Sequence, residues 1–132
     1  MKITVHFTTR FEALHLWKDA PSAVEFLRHP HRHVFHMRGE LVVGHADRDV
    51  EFILLKREVE GWLAETLDAG CAVHAMDCDM DEDCTCWLAG ADLPEDVERW
   101  SCEHWAIAAG LRFGLSACEV SEDGENGARV EF

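Results

Sequence analysis

The chain has 132 residues, 48% of them apolar, which is enough for one domain with its own core; a single domain over residues 1–132 is expected. Twelve lysines and arginines against 26 acids leave a formal charge of −14, which argues against a nucleic-acid partner because phosphate contacts need clustered basic side chains. No stretch approaches the roughly 20 apolar residues of a membrane helix, and MKITVHFTTRFEA lacks the apolar core of an export signal. A cytoplasmic setting with no membrane partner is therefore expected.

In chain order, residues 2–16 begin as a strand. Ile3, Val5 and Phe7 alternate with Lys2, Thr4 and His6, and Phe11, Ala13 and His15 share a face further along. WKDAPSAVEFLRHP reads as a loop bounded by Pro21 and Pro30, with one helical turn in SAVEFL. Residues 31–43, HRHVFHMRGELVV, form a second strand, and GHADRD a turn or a short continuation of it. DVEFILLKREVEGWLAETLDAG reads as a helix whose apolar stripe runs through Val50, Ile53, Leu54, Val59, Trp62, Leu63 and Leu67 and stops at Gly70.

Residues 69–98 show no clear period and read as a long loop, with a short helix near PEDVERW. SCEHWAIAAGLRFG is a second helix, capped by Ser101 and ended by Gly114. LSACEVSEDGENGARVEF is strand, tight turn and strand. The order ββααββ predicts an α+β fold, an antiparallel sheet with two helices on one face.

Two groups of residues carry chemistry. HPHRHVFH (29–36) holds four histidines. In an extended strand His29, His31 and His33 share one face and His36 points the other way. With His15 on the neighbouring strand, two of them complete a three-imidazole set, the ligand type and number of a catalytic zinc site. The six cysteines, at 71, 78, 84, 86, 102 and 118, lack an export signal and so read as free thiols. Cys84 and Cys86 are spaced more tightly than paired structural-zinc cysteines, so a second metal site on Cys78, Cys84 and Cys86 is disfavoured.

These motifs resemble the 6-pyruvoyl- and 6-carboxytetrahydropterin synthases, which have the tunnelling fold. FEALH (11–15) is similar to the family's F-x-A-x-H, and HRHVF (31–35) to its HGHSY. VEFILLK (50–56) resembles V-D-F-x-x-L-K, SCEHWA (101–106) resembles P-T-x-E-x-x-A, and VSEDGENGARV (120–130) resembles V-x-E-T and the last hairpin. The resemblance implies zinc held by His15, His31 and His33. It implies Glu122 as the anchor of a pterin's N–H edge, with Glu103 near the same pocket. It also implies a homo-oligomeric, hexamer-type ring in which strands of neighbouring copies complete a barrel.

The departures are equally specific. The family's catalytic cysteine lies four residues before its HxH, and that position is Leu27. Pairing His29 with His31 instead would put Glu25 there; pairing His31 with His33 puts Phe35 where the family's aromatic falls. The family's Asp-His pair matches Asp68, but Ala69 follows, leaving His74 or Cys71 of the next loop as stand-ins. The expectation is a zinc-dependent lyase acting on dihydroneopterin triphosphate or a related reduced pterin, with Asp68 and His74 as proton carriers. The alternative is a divergent tunnelling-fold protein that binds a purine or pterin and does other chemistry or none.

Overall fold

The computed structural model describes residues 1–70 and 92–132. Among the described residues, four strands form one antiparallel sheet in the order β1-β2-β3-β4: β1 (Ile3–His15), β2 (His31–Val43), β3 (Ala117–Glu122) and β4 (Asn126–Glu131). Two α-helices of the described residues, α1 (Phe52–Ala69) and α2 (Cys102–Phe113), pack against it, and 3-10 turns occupy Ser22–Arg28 and Val97–Arg99. The molecule is thus α+β. Among the described residues no helix is long and apolar enough to cross a membrane.

Alternation decides which sheet face is covered. β1 and β2 pair along their whole length, Ile3 opposite Val43 through to His15 opposite His31. Phe7, Phe11 and Ala13 of β1 therefore share a face with Phe35, Met37 and Val43 of β2 and with Cys118 and Val120 of β3. That face meets Val59, Trp62 and Leu63 of α1 and Trp105, Ala106 and Ala109 of α2 in one core. Phe7 lies over Gly39, its cross-strand partner, where any side chain would overlap the ring.

The helix ends follow their caps. Glu51 accepts from the Leu54 N–H at 2.9 Å, and Gly70 closes α1 with a φ of 65°. Ser101 caps α2, and His104 returns the favour: its Nδ1 accepts from the Ser101 N–H at 3.0 Å, closing a capping box with histidine where Glu or Gln is usual.

One expectation about α1 needs correction. The stripe read from sequence includes Ile53 and Leu54, but these are 52% and 56% exposed, and Val50 precedes the helix. The buried positions are Val59, Trp62, Leu63 and Thr66. Among the described residues, the apolar side chains of the first turn of α1 stay about half exposed. The stretch read from sequence as a Cys-rich loop, with Cys71, His74, Cys78, Cys84 and Cys86, lies outside the described residues except at its ends.

The opposite sheet face is polar and ionic. Arg129 of β4 grips Glu40 of β2 with two parallel hydrogen bonds, at 3.1 and 2.9 Å, and Arg38 adds a third at 3.3 Å. These bonds hold the Glu40 carboxyl at about 2, against an ordinary 4.5. A depressed carboxyl stabilises the fold above its unfolded value, and that contribution is lost as pH falls towards the folded value. Replacing Glu40 with Gln is expected to lower unfolding free energy at neutral pH. The gap between variant and wild type should close between about pH 4.5 and pH 2 in urea titrations.

Candidate metal centre

Strand pairing brings three of the sequence-predicted residues together. His15 and His31 are direct cross-strand partners at the end of the β1–β2 ladder, and His33 is two residues further along the same face. Their ring centroids are 5.3 Å (His15–His31), 4.7 Å (His31–His33) and 6.3 Å (His15–His33) apart. His29 precedes the strand and is exposed. Its carbonyl instead accepts a hydrogen bond from His31 Nδ1 at 2.8 Å. Of the two possible HxH pairs, His31 and His33 are the one that shares a face with His15.

Each ring has one buried nitrogen without a hydrogen-bond partner. His31 Nδ1 is used by the His29 carbonyl, and His33 Nδ1 donates to Asp123 Oδ2 at 2.7 Å. The Trp100 backbone lies close enough to the His15 ring to favour its protonated form. The other nitrogens, His31 Nε2, His33 Nε2 and His15 Nδ1, are buried without a hydrogen-bond partner. Oxygen acceptors on one ring nitrogen leave the lone pair on the other, the tautomer a metal ligand requires. Burial is the main reason the pKa of His15 is lowered from 6.5, with His31 and His33 acting in the same direction and Glu122 opposing them.

The donor chemistry fits a zinc ion; the side-chain positions are not yet those of a coordination sphere. No set of three His, Cys, Asp or Glu side chains among the described residues stands in ready metal-holding geometry. The rings meet edge to face rather than converging on a point. Of the two requirements, shared placement on a paired strand face is the harder to meet. Turning a ring about its side-chain torsions costs on the order of 0.5–1.5 kcal/mol even when it leaves a rotamer minimum.

The acids around the cluster differ in what they reach. Glu122 ends β3 opposite Phe35, with Oε2 3.6 Å from His33 Nε2. Glu103, in the first turn of α2, is exposed; its carboxyl is lowered first by a hydrogen bond from Ser101, with His15 among the charges acting on it. Asp68 is exposed on the last turn of α1 and is not among the groups that act on His15. His74 falls outside the described residues. Leu27, the residue four before His31, offers the site no acid or base; its carbonyl accepts from the Trp17 N–H at 2.7 Å. Cys102 is buried at the start of α2, and burial, with Glu122 and Glu103, pushes its thiol up to about 12. It is a protonated thiol, not a nucleophile.

Two contacts were not read from the sequence. Asp123 directly follows Glu122, and in the sequence its D-G pair signals only a tight turn. The Trp100 backbone reaches His15 through tertiary packing, which no local spacing encodes. No family model matches the chain, and neither does any curated protein.

Proposed function

We propose that the chain is a zinc-dependent lyase of the tunnelling fold, acting on dihydroneopterin triphosphate or a related reduced pterin. The observation that carries this reading is the trio of buried, unpartnered ring nitrogens on His15, His31 and His33, beside the carboxylate of Glu122. The three histidines would hold the ion, leaving a position open for substrate. Bound zinc would lower the pKa of a substrate hydroxyl.

Glu122 would grip the paired N–H donors of the pterin ring, a charge-assisted contact. Glu103, on whose carboxyl the charge of His15 acts, would stand near the same pocket. Asp68 and His74 remain the proposed proton carriers. A homo-oligomeric, hexamer-type ring also accords with the exposed Phe52, Ile53 and Leu54 and with the open edges of β1 and β4, which a neighbouring copy would cover.

A second reading is supported by Leu27 and by the protonated Cys102: a pocket that binds a pterin or purine without the family's reaction. Purified protein incubated with dihydroneopterin triphosphate, with and without a chelator, separates the two. Product that disappears on metal removal supports the lyase, and binding without product supports the pocket alone. Replacing Glu122 with Gln swaps an acceptor for a donor facing a donor. Pterin affinity should fall about 10–100-fold, as expected for losing a charged hydrogen bond. Unchanged affinity by calorimetry would remove Glu122 from the site.

A further inference from the structure

Asp123 is exposed, carries no role in the reading above, and is held in an unusual way. Its φ is 54°, a left-handed conformation uncommon outside glycine. Three bonds tie it to β2. Its N–H donates to the Val34 carbonyl at 2.7 Å, its Oδ1 accepts from the Val34 N–H at 3.0 Å, and its Oδ2 accepts from His33 Nδ1 at 2.7 Å. β3 itself pairs with β2 only from Phe35 to Glu40. The Asp123 side chain thus extends that ladder to the residue beside His33.

We propose that Asp123 is a positioning residue that fixes the tautomer and ring plane of His33, so that Nε2 presents its lone pair to a divalent cation. This rests on the three-histidine reading. The reasoning is one of donors and acceptors. A carboxylate can only accept, so it holds the His33 proton on Nδ1 and leaves Nε2 bare. Nε2 is buried and has no hydrogen-bond partner, which is the state a carboxylate–histidine–metal arrangement needs before the ion arrives. One oxygen anchors the carboxylate to the Val34 backbone, so the other cannot swing away from the ring without breaking that bond.

Asp123→Asn separates this role from a merely structural one. Asparagine tolerates the left-handed backbone and its amide oxygen can still accept from Val34. Its NH2 group then faces His33 Nδ1, which must become an acceptor, moving the ring proton to Nε2. Zinc affinity, measured by competition with a chromogenic chelator, is expected to fall about 10–100-fold. Nitrogen-15 NMR of the metal-free protein at mildly alkaline pH should show His33 changing from the Nδ1–H to the Nε2–H form. Thermal unfolding of the metal-free protein should stay close to wild type. Asp123→Gly, which adopts the positive φ without strain, should also weaken zinc binding.

Wild-type zinc affinity in Asp123→Asn, or an unchanged His33 tautomer, would overturn the proposal while leaving the three-histidine reading in place. A wild type that binds no zinc would instead overturn that reading, and with it the purpose of the pair.

Discussion

Trp105→Ala is expected to destabilise the protein by about 3–5 kcal/mol, the usual cost of truncating a buried aromatic. Trp105 is 1% exposed and sits where the two helices meet the sheet. Its ring centroid lies 4.9 Å from Phe11, 4.7 Å from Trp100, 6.1 Å from Trp62 and 6.4 Å from Phe35. The cavity cannot close by a small shift, because the surrounding rings are stiff and pack on one another. Against a typical total of about 5–15 kcal/mol, much of the stability goes. Urea unfolding of the metal-free protein measures this directly, and a loss below about 1 kcal/mol would contradict the placement of Trp105. Phe35 stacks on Phe11 at 5.3 Å and meets His33 at 5.9 Å, so this aromatic cluster is also the floor beneath the histidines.

The second large effect is on metal binding. His31→Ala should weaken zinc binding by more than the roughly 100-fold that loss of an outer-shell partner produces, since only two imidazoles remain. The same substitution should leave the metal-free protein about as stable as wild type. His31 Nε2 is buried without a partner, and an unsatisfied buried polar atom costs on the order of 1–3 kcal/mol. Removing the ring relieves that cost while it also removes some packing against His15 and His33. A functional residue thus announces itself by a deletion that the fold tolerates and the ligand does not. If His31→Ala instead unfolded the protein, the histidines would be packing residues. Zinc affinity equal to wild type would exclude His31 as a ligand.

The strands were legible in the sequence because β1 and β2 are half buried, and a half-buried strand must alternate. Alternation alone puts Ile3, Val5 and Phe7 on one face, and Phe11, Ala13 and His15 on one face further along. The helix ends were legible for a similar reason. Ser101, Gly70 and Gly114 satisfy local backbone needs that do not depend on the rest of the fold. Ile53 and Leu54 were misjudged because periodicity reports which residues share a side of a helix, not how far along the helix a covering surface extends. The placing of His15 against His31 and His33 followed from pairing neighbouring strands in sequence. The pairing of Asp123 with His33, 90 positions apart, could not follow from it. That contact depends on where β3 stops relative to β2, a register no single stretch contains. The role of His104 in the α2 cap was missed for a simpler reason, since histidine is not the residue usually looked for three positions after a capping serine.

The proposed function rests on one divalent ion held by His15, His31 and His33. The most direct measurement is the zinc stoichiometry of metal-stripped protein, titrated and then analysed for bound metal after gel filtration, alongside His15→Ala, His31→Ala and His33→Ala. A three-histidine centre predicts one equivalent of zinc per chain in the wild type and substoichiometric zinc in all three variants. Wild-type protein that retains no zinc, or variants that retain as much as wild type, would contradict it.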